Sequence, residues 1–327
     1  MTHFSICLKG LPTILKTARY AADPLIYALM YALMVHSPWS RNDKPQSFGS
    51  IAMASTAIVT DVTSNFGIAC VKEIARRGYH TYLIVKSFDP ERLFQLRNET
   101  KNPNIFVLEG SLKNLESTGE LVDKILALVP QLDILLHTNI YNSAIKGSRE
   151  IFQSYHLGPL MVTVGLLPLL EKSEQGRVLM SHSTELLSGK IDLSLDPQAG
   201  KGRKAGFKSA QLWSYLSMVG LSESLRNSSI TVNSMYSGFL MNSGFVLKEA
   251  IWQWAYPLFS SSEAIAGLPV WLATSPQIRK ISGRLFVAPD AEGEKFSHPE
   301  EGDLSLKALD RSLSLLPNSD LVSVEGF

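Results

Sequence analysis

Cysteine is almost absent: Cys7 and Cys70 are the only two in 327 residues. Two thiols so far apart, with no C-x-x-C spacing, exclude a disulfide framework and a zinc or redox motif of that type. They are compatible with a reducing compartment. An excess of one charge is lacking too, since 31 basic residues face 30 acidic ones and leave a net +1. With no basic run either, the usual electrostatic reason to expect nucleic acid as a partner is missing. His36, His137 and His182 stand without metal-ligand spacing, so satisfied or surface imidazoles are expected and no metal site. Long apolar runs are missing from the N-terminal region, where a membrane anchor would be sought: Leu25 to Val35, LIYALMYALMV, falls well short of the ~20 residues that span a bilayer.

What is present is apolar bulk, 45% of the chain. That is enough for one large core, and a single α/β domain of about 250 residues plus end pieces accounts for the length. Residues 1 to 22 carry Lys9, Lys16 and Arg19 and no acid, ahead of the apolar run. At about 1.5 Å per residue the run covers roughly half of a ~30 Å hydrocarbon core. It reads as a helix that lies in the interface or enters one leaflet, with Trp39, Arg41 and Lys44 suited to the headgroup edge. A helix packed on the domain or in an oligomer interface is the alternative, and the acid-poor start also permits a mitochondrial presequence. Residues 1–54 are therefore taken as a membrane-associating apolar helix and linker, and 55–327 as the main domain. A membrane-associated location, endoplasmic reticulum or lipid droplet, is expected, with the mitochondrion as alternative.

From Thr56 onward, short apolar runs alternate with segments of helical period, the pattern of a doubly wound parallel sheet. Strands are predicted at 56–60, 80–86, 104–109, 132–137, 176–182, 229–235 and 283–287. Helices are predicted at 66–77, 115–129, 148–171, 206–226 and 262–274. The fold class is α/β: a Rossmann-like, three-layer α/β/α sandwich on seven strands. Ligands of such sheets bind beyond the carboxyl ends of the strands, which directs attention to the first strand-to-helix turn, Thr60 to Gly67.

That turn reads Thr60-Asp61-Val62-Thr63-Ser64-Asn65-Phe66-Gly67. Further along stand Phe152-Gln153-Ser154-Tyr155-His156-Leu157-Gly158, Leu167-Pro168-Leu169-Leu170, Gly176-Arg177-Val178, Val232-Asn233 and Gly238-Phe239. In order and spacing these segments resemble the short-chain dehydrogenase/reductase family, in particular its retinol-dehydrogenase-like branch. The resemblance runs from about Ser55 to Leu316, with Ala264 to Phe286 similar to the final helix and strand and Leu306 to Leu316 to the closing helix. It implies T-G-x-x-x-G-x-G at the first turn, where this chain has Asp61 and Asn65 in place of two glycines and keeps only Gly67.

The resemblance also implies a catalytic tyrosine, a lysine four residues on and a serine, which act as a unit in proton transfer. Counting back from Val232-Asn233 at the family's spacing puts the tyrosine at Phe207 and the lysine at Gln211, while the serine position survives as Ser183. Phenylalanine has no ionisable proton and glutamine no charge with which to stabilise a phenolate. The asparagine that supports a relay water corresponds to Tyr155, and the Asn-Asn-Ala-Gly stretch becomes His137-Thr138-Asn139-Ile140. Tyr215, two helical turns beyond Phe207, has no basic residue four positions on. Tyr155 belongs near the same cavity and is read as filling space.

For the cofactor the resemblance implies NADP(H), or else none, at Thr60, Asp61, Asn65, Gly67, Lys86, Ser111 and Asn139. Side chains in place of glycines obstruct a pyrophosphate, and the Asp61 carboxylate would repel it. Asp61 and Thr63 are instead read as helix caps. Ser111 replaces an aspartate that contacts adenine, whereas Lys86 suits the 2′-phosphate of NADP. Residues 239–260, rich in aromatics such as Trp252, Trp254, Tyr256 and Phe259, fall in the substrate-lid region; they suit a lipid-like small molecule or pack against the core or a protein partner. The favoured expectation is a non-catalytic member that binds a protein partner, a second copy in a homodimer, or a lipid-like ligand at a membrane surface. The alternative is an NADP(H)-dependent oxidoreductase of a lipid, steroid or retinoid carbonyl or alcohol.

Overall fold

The computed structural model describes residues 55–138, 147–183, 202–236, 262–286 and 301–317, with the single positions 145, 186, 189, 191 and 193 between them. The expectations for residues 1–54 and for the lid at 239–260 lie outside the described residues. In chain order the elements are β1 (Thr56–Thr60), α1 (Asn65–Arg76), β2 (His80–Val85), α2 (Pro90–Thr100), β3 (Ile105–Glu109), α3 (Leu115–Leu128) and β4 (Ile134–His137). There follow α4 (Ser148–Phe152), a π turn (Gln153–Leu157), α5 (Gly158–Gly165), α6 (Leu167–Leu170), β5 (Arg177–His182), α7 (Arg203–Ser224), β6 (Thr231–Tyr236), α8 (Ser262–Thr274), β7 (Leu285–Phe286) and α9 (Glu301–Leu313).

The strands form one parallel sheet in the order β3-β2-β1-β4-β5-β6-β7. Every residue of β1, β4 and β5 is buried, as expected where helices cover both faces of a parallel sheet. Side chains alternate between the two faces. Ile58, Leu135, Val178 and Met180 meet α3, α5, α7 and α9 on one side; Ala57, Val59, Leu136 and Leu179 meet α1 and α8 on the other. Strand order reverses between β1 and β4, whose register pairs Thr60 with His137 at their carboxyl ends. The crevice of a doubly wound sheet opens at that point.

Several elements differ from the sequence reading. The single helix expected over 148–171 is broken into α4, the π turn, α5 and α6. Pro159 and Pro168 each stand in the first turn of a new segment, where a missing N–H and a ring that clashes with the preceding turn interrupt a continuous helix. At the junction, a Cβ on Gly158 would lie 2.2 Å from the Leu112 carbonyl oxygen, so the helix crosses the β3–α3 loop at backbone contact. The second difference is α2, which the sequence reading left out. It buries little beyond Leu96 and Thr100 and so has almost no apolar stripe; Asp89 as N-cap and Pro90 after it nonetheless start it. The last strand is also shorter than expected, Leu285–Phe286 rather than 283–287.

The closing helix covers Glu301–Leu313 rather than 306–316 and lies along α7. A buried polar contact joins it to the π turn: His156 Nε2 is 2.7 Å from Ser312 Oγ, and Ser217 Oγ is 3.2 Å from the same hydroxyl. Ser312 gives its own hydrogen to the Ala308 carbonyl at 2.6 Å. The imidazole and Ser217 must therefore both donate to it.

Candidate functional site

The first turn keeps a specialised backbone. Asp61 sits at φ 56°, in the left-handed region that favours glycine, where the family pattern has its first glycine. Around it, Thr63 N–H donates to the Asp61 carbonyl at 2.7 Å and Val62 N–H to Ile84 O at 3.2 Å. Thr138 Oγ1 donates to Thr60 O at 2.6 Å. A Cβ on Gly67 would come within 2.9 Å of Val62 Cα and 3.1 Å of Thr138 Oγ1, so this glycine lets α1 press against the turn. The expectation that Asp61 and Thr63 cap α1 is corrected: Ser64 is the N-cap, its hydroxyl accepting from Gly67 N–H at 3.2 Å. The Asp61 carboxylate accepts instead from the Thr63 hydroxyl, at 3.4 Å. Asn65 is exposed at the start of α1.

The remaining cofactor positions are dispersed. Lys86 is exposed one residue beyond β2. Ser111 is turned to local structure: its hydroxyl accepts from Lys113 N–H at 3.4 Å, and its carbonyl accepts from the hydroxyls of Ser117 and Thr118. Asn139 lies outside the described residues.

At the head of β4, His137 is fully buried between Thr60 Oγ1 (3.0 Å from Nδ1) and Thr163 Oγ1 (2.9 Å from Nε2). Thr163 already donates to Pro159 O at 2.8 Å. Nε2–H is thus the donor to Thr163, and Nδ1 accepts from Thr60. Burial holds this imidazole neutral, with its pKa pushed down to about 3. The sequence reading missed this chain of bonds from the first turn to α5. Its signal was a threonine and a histidine at the carboxyl ends of two predicted strands.

The positions that correspond to the family's catalytic groups do come together, and they are packed shut. Phe207 and Tyr155 meet edge to face, 4.8 Å between centroids at 81°, with 4% and 2% of their surface exposed. Gln211, also buried, accepts from the backbone N–H of Ser183 at 2.8 Å. Next to it His182 lies 3.1 Å from Ser234 Oγ and edge-on to Tyr215. Burial pushes its pKa down to about 3, opposed by the Gln211 side chain. Tyr215 is buried against that histidine. Among the described residues, no three His, Cys, Asp or Glu side chains gather as a metal site would require.

These residues do not fit a dinucleotide as the family pattern would hold it. The lysine that would meet the ribose is an amide already bonded to Ser183, and a carboxylate stands where a glycine would admit the pyrophosphate. The ring at position 207 has no hydroxyl, so no proton passes from it to a carbonyl oxygen.

Sheet order, crevice and strand–turn–helix together make this a doubly wound domain of the dinucleotide-binding type. Residues 55–192 match the family model for short chain dehydrogenase. Dehydrogenase/reductase SDR family member 13 of Bos taurus is 27% identical over 294 residues, which cover 83% of this chain and 76% of the relative. Retinol dehydrogenase 13 of Mus musculus is 27% identical over 274 residues, covering 76% and 79%. A short chain dehydrogenase from Shigella flexneri, solved in complex with NADP, superposes with a TM-score of 0.54 at 20% identity, covering 72% of this chain and 98% of that one. One from Salmonella enterica serovar Typhi gives 0.53 at 21%, covering 73% and 96%. At such identities the solved structures establish the fold alone. The relatives carry names of dehydrogenases and reductases, which favours the oxidoreductase alternative over the non-catalytic expectation.

Proposed function

We propose that this chain is an oxidoreductase-family protein whose crevice binds without transferring a proton, acting through a protein or lipid-like ligand at a membrane surface. The observation that carries this reading is the packed pair of replaced positions: Phe207 buried against Tyr155, and Gln211 committed to Ser183 N–H at 2.8 Å. General acid–base catalysis needs an ionisable group in bonding reach of the reacting oxygen, and position 207 offers none. The membrane part of the reading draws on the apolar run Leu25 to Val35. Among the described residues no helix is long and apolar enough to cross a membrane.

A second reading, an NADP(H)-dependent oxidoreductase of a lipid, steroid or retinoid carbonyl or alcohol, has the support of the relatives' names, among them retinol dehydrogenases. One assay separates the two. Purified full-length protein is incubated with NADPH or NADH and retinaldehyde or a keto-steroid, and reduced nicotinamide is followed by absorbance beside a Phe207→Tyr/Gln211→Lys variant. No consumption by the wild type is expected. Turnover at or above the variant's rate would establish the second reading and remove the first. Removal of residues 1–40 should shift the protein from the membrane pellet to the supernatant; unchanged partition would refute membrane attachment through that segment.

A further inference from the structure

We infer that the turn between β1 and α1 retains the backbone of a phosphate-admitting turn, and that the carboxylate of Asp61 is the specificity-determining group that bars an anionic dinucleotide from it. The inference concerns only whether a dinucleotide enters this turn, and is independent of the missing proton donor.

Three observations separate backbone from side chain. The left-handed conformation that a glycine would supply is present, with an aspartate adopting it at φ 56°. The turn is pinned in that shape from three sides, through Thr63 N–H to Asp61 O, Val62 N–H to Ile84 O and Thr138 Oγ1 to Thr60 O. Lastly, α1 cannot draw back from the turn as though its glycine had been replaced, because Gly67 remains and leaves no room for a Cβ against Val62 Cα. What has changed is the side-chain chemistry on this frame. A half-buried carboxylate now sits in the turn three residues before the N-cap. Aspartate is among the few residues that tolerate the left-handed region, so the backbone survives the substitution. A fixed negative charge within a few ångströms of a diphosphate opposes it strongly in a partly desolvated crevice. Asn65, the other replaced glycine, is neutral and exposed, and so obstructs by bulk alone.

The test is equilibrium binding of NADPH and NADH to the full-length chain, read by calorimetry and tryptophan fluorescence, for wild type, Asp61→Asn, Asp61→Gly and Asn65→Gly. Asp61→Asn removes the charge at nearly constant volume and suits the same backbone region, so it should recover most of the affinity that Asp61→Gly recovers. At least about tenfold over wild type is expected, with a smaller change for Asn65→Gly. Thermal midpoints at or above wild type for both Asp61 variants would show that the turn still folds. Micromolar binding by the wild type would overturn the inference. So would an Asp61→Asn variant no better than wild type while Asn65→Gly gains, or no gain in any variant. Binding without turnover in the wild type would refute this inference alone, whereas turnover in the wild type would refute the non-catalytic reading as well.

Discussion

Lowering the pH from 7 toward 5 should destabilise this domain steeply, because three imidazoles are fully buried as neutral groups. His137, His156 and His182 each have a pKa pushed from 6.5 down to about 3, mainly by burial, and His182 also disfavours the charge of His156. Their surroundings offer no carboxylate in the contacts described. His137 meets Thr60 and Thr163; His156 meets Phe152, Trp213 and Ser312; His182 meets Ser234, Tyr215 and Gln211. In the unfolded chain each ring takes up a proton near pH 6.5, whereas the folded chain refuses it until about pH 3. The stability contributed is therefore complete above pH 6.5 and is lost as pH falls below that value. At pH 5 each ring costs about 2 kcal/mol, and the three together about 6 kcal/mol. That is comparable with the whole ~5–15 kcal/mol that holds a domain folded. Exposed carboxylates titrate near pH 4, so the window between pH 6.5 and 5 belongs to the histidines. Urea titrations followed by tryptophan fluorescence at pH 7, 6, 5.5 and 5 measure the effect, with constant m-values certifying a common unfolded state. The slope should approach roughly 4 kcal/mol per pH unit near pH 5, and His156→Asn should lower it by about a third. Stability that stays flat from pH 7 to 5 would refute the reasoning.

Two packing predictions are independent of titration. Gly158→Ala places a methyl group 2.2 Å from the Leu112 carbonyl oxygen; with backbone on both sides, the cost should be about 3 kcal/mol or more, lowering Tm by roughly 6 °C or more, and an unchanged Tm would refute the contact. Ser312→Ala removes the acceptor of both His156 and Ser217. Since His156 Nδ1 already lacks a hydrogen-bond partner among the described residues, this should cost about 1–3 kcal/mol in urea titration, and a neutral result would show that the hydroxyl is replaceable.

Periodicity revealed the sheet because a parallel strand buried on both faces is a continuous apolar run, as at Thr56–Thr60, where expected and observed limits coincide. The same cue failed for α2, a solvated helix with little to bury, although Asp89-Pro90 marked its start. It also merged α4 to α6, since apolar residues continue across Pro159 and Pro168 while hydrogen bonding does not. At the site, the substitutions at 61, 65, 207 and 211 could be read from the family resemblance and its spacing. What they do in three dimensions could not: nothing local says that Gln211 would turn to Ser183 N–H, or that Asp61 would keep a glycine's backbone angles. Both depend on partners far along the chain, Gln211 through a bond spanning 28 residues and the turn through Thr138.

The seat of α9 on α7 bears on how the protein is made. The bond between His156 and Ser312 spans 156 residues, so the layer beneath α9 cannot be completed until the segment that begins at Glu301 has left the ribosome. At about 5–20 residues per second, α7 waits several seconds for its cover with an apolar flank open to water. During that interval the nascent chain is a client for holding chaperones, and translation stalled before codon 301 would leave a sticky, degradation-prone fragment rather than a smaller working domain.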